Sequence, residues 1–423
     1  MITAFNLTGQ PVYLNTKTPY QPQQKNYAAP PKGYVPVFIN YVGRHGSRFQ
    51  TSPDKDLLVT TVLQQAKESN ALTKEGFTIY KLVLFYQDIE KDNYGNITRL
   101  GMQEQHDIAE RMQSQNSSVF SNGKLLVEMT EKLRTQQSAT AFLSGLHYDT
   151  TNIESIIFPS NADSILRFYD LSKAYKIYAD SAVKKHTDSL INDKRTVIAA
   201  NDVWNKLFTK DFANNKINVT VKNKTQALNP VLFSQALYDV FASMFAASKE
   251  LKSEYENAIT AFNKIFSTND LRWFDEINSA SDFYEKGPGE NASGIQITIA
   301  TPLLNDLIKT TDAAIQQKKY NAILRFTHAE AISPLATLME IPQASTTSNS
   351  VFKFYTNWNA SAIIPMSANI QWIVYSNGSN YLLKILLNEK EVALPVKTTT
   401  FPYYNWNDIK LYYISKLSSI TKN

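Results

Sequence analysis

The chain has 423 residues, 43% apolar or aromatic and 19% charged, which suits two or three domains or one large domain with an insertion and excludes a peptide, a collagen or a disordered tail. Its 43 lysines and arginines against 38 aspartates and glutamates leave a net charge of +5, too dilute for a nucleic-acid face but compatible with a cleft for small anions if gathered in one place. With no cysteine there is no disulfide, thiolate metal site or thiol nucleophile, and no apolar run reaches the length of about 18 residues that a membrane span needs.

The start, Met1-Ile2-Thr3-Ala4-Phe5-Asn6, lacks the basic end and apolar run of a signal peptide. Residues 1–34, rich in Pro, Gln, Asn and Tyr, read as an extended arm with turns. Val35-Pro36-Val37-Phe38-Ile39-Asn40-Tyr41-Val42 is a short β-branched and aromatic run, predicting a buried strand of a parallel sheet with Pro36 near its start. Gly43 ends it, and the loop Arg44-His45-Gly46-Ser47-Arg48 follows. Helical spacing recurs in Leu100, Ile108 and Met112, in Leu133, Ala141, Phe142 and Leu146, and most strictly in Phe233, Ala236, Leu237, Val240, Phe241, Met244 and Phe245. Between about 150 and 290 the pattern is mostly helix. Ala322-Ile323-Leu324-Arg325-Phe326-Thr327 predicts a second buried strand, and Ile370–Tyr375 and Tyr381–Leu387 two more β-rich runs. The layout is α/β: a mostly parallel sheet with helices on both faces, built from residues 1–150 and 295–423, with a mainly helical insertion over 151–294.

Familiar phosphate loops, nucleophile elbows and zinc helices are missing, and none of the five histidines stands at metal-ligand spacing from another. Arg44-His45-Gly46-Ser47-Arg48 directly follows a strand, the position at which α/β sheets bind ligands. Two arginines disfavour the protonated imidazole, so His45 is predicted neutral and nucleophilic, while the guanidiniums suit phosphate oxygens. His328-Ala329-Glu330 closes the second strand and offers another imidazole and a carboxyl, though Glu330 also suits a plain helix start. Arg134, near the start of a helix, adds cationic charge where anions are favoured, or is an ordinary surface arginine.

These residues resemble the histidine phosphatase superfamily, on its acid phosphatase and phytase branch, with the nearest likeness to multiple inositol polyphosphate phosphatases. The resemblance rests on Arg44–Arg48, on Arg134 with Ser138-Ala139, Phe142 and Gly145-Leu146, and on His328-Ala329-Glu330. Thr16-Lys17-Thr18-Pro19-Tyr20, Gly287-Pro288-Gly289, Asn369-Ile370-Gln371-Trp372 and Asn388-Glu389-Lys390-Glu391-Val392 extend it over nearly the whole chain. It implies a phosphoglycerate-mutase-like fold and an extracytoplasmic location. It also implies a phosphomonoesterase that needs no cofactor or metal and acts on phytate and lower inositol phosphates.

In that reading His45 takes the phosphoryl group, Arg44, Arg48, Arg134 and His328 hold its oxygens, and Glu330 protonates the leaving alkoxide and then activates water. Burial should raise the pKa of Glu330 and the arginines lower it, with the balance open. Thr51, Lys17, Lys55, Lys184 and Lys185 are candidate substrate contacts, each lysine also readable as a solvated side chain. The partner expected is a small polyanion, with no nucleic acid and no membrane span. A broad acid phosphatase and a catalytically silent phosphate-binding protein are the alternatives. Gln50 departs from the family's usual proline, which could change how Thr51 faces the pocket, and the family's cysteines are missing.

Overall fold

The main sheet is built outward from Val35–Arg44, strand β1, whose last seven residues are buried. Successive side chains of a strand point to opposite faces, and here both faces are core. Phe38 and Val42 join one apolar cluster and Ile39 and Tyr41 the other, which is why the run is apolar without alternation. The chain is described here from a computed structural model covering residues 4–5, 11–213, 218–221 and 224–420.

The other strands are β2 (Leu125–Thr130), β3 (Ile153–Phe158), β4 (Ala322–Thr327), β5 (Asn369–Ser376), β6 (Tyr381–Leu387), β7 (Lys390–Glu391) and β8 (Tyr404–Asn405). Their order is β7-β6-β5-β1-β4-β2-β3, with β8 on β6. β1, β4, β2 and β3 are mutually parallel, and β5 runs antiparallel to both β1 and β6. The registers Arg44↔Thr327, Met129↔Phe326 and Thr130↔Phe158 align four carboxyl ends along one edge of the sheet.

Helices cover both faces. α1 (Asp54–Glu68), α2 (Lys74–Glu90), α3 (Arg99–Gln115) and α4 (Leu133–Ser144) come first. α5 (Lys173–Ile191), α6 (Lys194–Leu207), α7 (Pro230–Ala246), α8 (Glu254–Ile265) and α9 (Thr268–Glu285) form a helical layer. α10 (Thr301–Gln317), α11 (Ala329–Leu338) and α12 (Trp406–Ile420) complete the α/β part. α7 carries the strict apolar stripe, and its rings stack on α8, with Phe241 and Phe262 centroids 4.9 Å apart. The Asn229 side chain accepts from Leu232 N–H to start α7, and a Ser267–Asp270 capping box starts α9. α1 packs on α7, and α2 on α6 and α8, so the helical layer draws on residues 54–90 as well. Ile153–Phe158, read from sequence within a mostly helical stretch, is an edge strand: its Ile156 and Ile157 are exposed, so no buried alternation marks it. Among the described residues no helix is long and apolar enough to cross a membrane.

α3 fixes the loop that follows β1. Thr98 caps it by accepting from Gly101 N–H at 3.2 Å, and Gly101 meets Gly46 backbone to backbone. A Cβ on Gly46 would stand 2.5 Å from the Gly101 carbonyl oxygen, so neither position has room for a side chain. One turn further on, buried Glu104 accepts from Ser47 N–H at 2.9 Å, the Ser47 hydroxyl at 2.7 Å, Tyr20 N–H at 2.8 Å and the Ser367 hydroxyl at 2.8 Å. Gln105 donates to the Arg44 carbonyl at 2.9 Å. Glu104→Ala leaves four buried donors without their acceptor, and urea unfolding is expected to show a loss of about 2–4 kcal/mol.

Candidate active site

Each candidate group stands just past the end of a parallel strand. His45 follows β1, His328 and Glu330 follow β4, Arg134 enters α4 after β2, and Arg167 follows β3. The β1–β4 register continues through His45 N–H, which donates to the Thr327 carbonyl at 3.1 Å, and brings the His45 and His328 rings to 5.5 Å between centroids.

The His45 ring lies 3.0 Å through Nδ1 from the Gly46 carbonyl. A carbonyl only accepts, so Nδ1 carries the hydrogen and Nε2 keeps its lone pair. Burial first, then Arg44, Arg134 and Arg48, holds this imidazole well below 6.5, so it is neutral at physiological pH. Arg44 places Nη1 against the carbonyls of Thr16 at 2.8 Å, Ile364 at 2.5 Å and Pro365 at 3.0 Å. Arg48 gives Nη1 to the Phe49 carbonyl at 2.8 Å. Burial lowers Arg44 to about 10, and burial with Arg134 and Arg44 lowers Arg48 to about 9; both stay cationic at neutral pH. Arg44, Arg48, Arg134 and Arg167 each retain a buried Nε–H with no hydrogen-bond partner. Buried donors of this kind are normally satisfied.

His328 is engaged on both nitrogens. Arg134 Nη2 donates to Nδ1 at 3.2 Å, while Nε2 lies 3.2 Å from the Thr130 hydroxyl and 3.5 Å from Arg167 Nη1. In this state it orients Arg134 rather than offering a free N–H of its own. Glu330 lies at the start of α11 with its Oε1 3.3 Å from Lys286 Nζ. Burial pushes the Glu330 carboxyl up, but Lys286, then His328 and Arg44, outweigh it and hold the group below the ordinary carboxylate range. The open balance in the sequence reading thus resolves toward the charged form, chiefly through a lysine that reading did not single out.

A cavity of about 450 Å³ opens beside His328 and Glu330, lined also by Arg134, Arg167, Lys176, Tyr169 and Tyr175 and by the acidic Asp170, Asp180 and Glu285. None of the lysines singled out in the sequence lines it. Lys17 Nζ lies 2.5 Å from Asp239 Oδ1 on α7, and Lys55 pairs with the other oxygen of the same carboxylate. Burial raises the Asp239 carboxyl, but Lys17 and then Lys55 bring it down to about 2, so the trio ties the first segment to the helical layer. Lys184 and Lys185 are exposed on α5, about two turns beyond Lys176. Thr51 is exposed. Gln50 turns inward, its Nε2 2.5 Å from Asp56 Oδ1 and 3.3 Å from Glu90 Oε2.

The family profile described as Histidine phosphatase superfamily (branch 2) matches residues 37–388. The chain belongs to that superfamily. Among solved structures, this histidine phosphatase is similar to Bifidobacterium longum multiple inositol polyphosphate phosphatase in complex with inositol hexasulfate. The two share 22% identity over 94% of this chain and 96% of that one, with a TM-score of 0.80. The phytase from D. castellii aligns with a TM-score of 0.68 and 15% identity over 96% and 85% of the two chains. Klebsiella sp ASR1 phytase aligns at 0.53 and 12% over 92% and 96%. At these identities the likeness is one of fold. A comparison with curated proteins finds no significant match.

Sequence reasoning missed Arg167, Tyr169, Tyr175, Lys176 and Lys286. Arg167 follows β3, which with β2 is one of two parallel strands that the sequence pattern did not single out, while Lys286 directly precedes Gly287-Pro288-Gly289, a segment the resemblance had already marked.

Behind the loop, burial and then Asp56 push the Glu90 carboxyl up to about 8. Between its ordinary 4.5 and about 8 the folded chain holds a proton that the unfolded chain has lost, so this group makes stability fall as pH rises through that window. Glu90→Gln is expected to remove that slope, seen as a smaller difference between urea midpoints measured at the two ends of the window.

Proposed function

We propose that this histidine phosphatase removes phosphate from myo-inositol hexakisphosphate and lower inositol polyphosphates, through a phosphohistidine on His45 and without a metal. The observation that carries the reading is the neutral His45 ring, its Nε2 unprotonated, among four guanidiniums with unpartnered buried Nε–H groups. The polyanionic substrate class is supported by the inositol phosphatase and phytases similar to this chain; in the cavity the cations Arg134, Arg167 and Lys176 stand beside the carboxylates of Asp170, Asp180, Glu285 and Glu330. Lys17, Lys55, Lys184 and Lys185 are left out of the substrate contacts.

Phosphoryl transfer needs in-line placement and neutralisation of charge on the non-bridging oxygens more than it needs covalent help from the protein. In the first step His45 Nε2 attacks phosphorus, the ester P–O bond breaks, and Glu330 gives its proton to the departing oxygen. In the second, Glu330 takes a proton from water as that water attacks the phosphohistidine. The N–P bond then breaks, and neutral imidazole and inorganic phosphate are restored. Glu330 begins as a carboxylate in the empty site, so it must gain a proton as substrate enters. A doubly charged phosphoryl group among Arg44, Arg48 and Arg134 offsets the cations that keep Glu330 ionised and favours that uptake. Arg134, steadied by His328, and Arg44, anchored by three carbonyls, supply rigid donors.

His45→Ala is expected to lower phytate turnover by about a thousandfold or more, and the wild-type enzyme to keep its rate in excess EDTA. Trapping with labelled substrate should show an acid-labile phosphoryl group on the protein that His45→Ala lacks. A variant with near wild-type turnover rules out the nucleophile assigned here.

A further inference from the structure

The end of α9 delivers a buried lysine to the active site from the helical layer. Lys286 caps that helix, and its backbone is fixed: its N–H and that of Gly287 both donate to the Asp282 carbonyl at 3.0 Å. A Cβ on Gly287 would stand 2.8 Å from the Phe283 carbonyl oxygen and 3.2 Å from the Trp358 ring, so the chain passes through a slot only glycine fits. Tyr175 and Tyr178 of α5 hold the same helix end by donating to the Glu285 carbonyl at 3.2 Å and the Tyr284 carbonyl at 2.8 Å. The Lys286 side chain is 7% exposed, with Nζ 2.9 Å from Asp282 Oδ1, 3.3 Å from Glu285 Oε2 and 3.3 Å from Glu330 Oε1. Asp282 and Glu285 belong to its own helix end, whereas Glu330 reaches it from the α/β part.

We propose that Lys286 is a positioning residue for the leaving-group proton: it pins Oε1 of Glu330 so that Oε2 faces the scissile ester oxygen. This inference rests on the proposed role of Glu330 as proton donor. A glutamate has three side-chain torsions, and a general acid that wanders among them loses most of its effect. The ammonium removes that freedom at one oxygen and stays protonated throughout, because three carboxylates surround it. It therefore exchanges no proton in the cycle; the proton passes from Glu330 to the alkoxide and returns to Glu330 from the attacking water.

Lys286 also fixes where Glu330 titrates. The charged and titratable groups around that carboxyl are Lys286 and Glu285 from α9, His328 from its own helix start, Arg44 from β1, Arg48 from the loop after it and Arg134 from α4, with Tyr169 and Tyr175 on the side of α5. Removing the Lys286 cation strips away the strongest attraction on the charged form, so Glu330 keeps its proton to higher pH. The alkaline limb of the phosphorylation step then moves upward.

The test compares an alkyl ester, which needs a proton on its leaving oxygen, with p-nitrophenyl phosphate, whose phenolate leaves unaided. Lys286→Met is expected to lower phytate kcat by about tenfold or more with KM changed less than about threefold, and to move the alkaline limb up by about one pH unit. The pre-steady-state burst of p-nitrophenol should change by less than about twofold. Lys286→Arg is expected to restore most of the phytate rate. Lys286→Gln, which removes the charge but keeps a hydrogen-bond donor, is read by the same criteria should the methionine variant fail to fold. An equal loss on both substrates with an unmoved limb, or no loss at all, overturns the proposal. Glu330→Gln separates the two levels. If it spares phytate turnover, the acid itself is misassigned. If it lowers phytate selectively while the Lys286 variants do not, only the lysine's role is lost.

Discussion

Like charges packed around a neutral imidazole are the constraint on which the rest of this structure depends. Arg44, Arg134 and Arg48 all depress the proton affinity of His45, Arg134 depresses that of Arg44 and Arg48, and Arg44 that of Arg48. Held that close, guanidiniums separate unless each is tethered by something other than the ligand. The tethers are mostly neutral carbonyls: three on Arg44 and one on Arg48, with an imidazole nitrogen on Arg134. Neutral acceptors hold the groups without cancelling their charge, which stays available to a bound anion. The one full negative charge that supports the loop, Glu104, sits behind it and binds serine and backbone donors rather than an arginine.

The helical layer meets this charged edge at two points. Asp239 of α7 binds Lys17 and Lys55 together, and Lys286 at the end of α9 reaches Glu330. The first contact joins the Lys17 segment and α1 to α7, and the second joins the end of α9 to the start of α11. Lys17 and Lys55, which look like free cations in a sequence, are therefore committed elsewhere, and the cations of the cleft are Arg134, Arg167 and Lys176, set beside carboxylates. Compositional charge indicates how many such groups a chain has. Their partners decide where the field points.

Strands β1, β4, β5 and β6, the loop after β1 and the His-Ala-Glu turn were legible because each depends on local pattern, whereas β2, six residues interrupted by Glu128, was not singled out. Val35–Val42 and Ala322–Thr327 are continuous apolar runs, and a continuous run has few structural readings. Arg44–Arg48 directly follows such a run, so its position at a carboxyl end came with it. β3 was not legible: an edge strand with exposed isoleucines gives neither continuous burial nor clean alternation, and Arg167 was lost with it. Nor could sequence show that Glu330 faces Lys286, a contact spanning 44 residues and the boundary between two layers. The same holds for Asp239, which pairs with residues more than 180 positions away. Long-range pairings of charge have no periodicity, so only the folded chain reveals them.

The unpartnered guanidinium donors have a consequence at the far end of the cycle. Their fit is to a tetrahedral oxyanion as such, with little regard for what that oxyanion is esterified to. Free orthophosphate, the product of a phosphatase, presents the same oxygens as the phosphoryl group of its substrate. An enzyme arranged in this way lets go of its product slowly and is throttled by it as hydrolysis proceeds. Such an arrangement links turnover to the phosphate concentration of the surroundings.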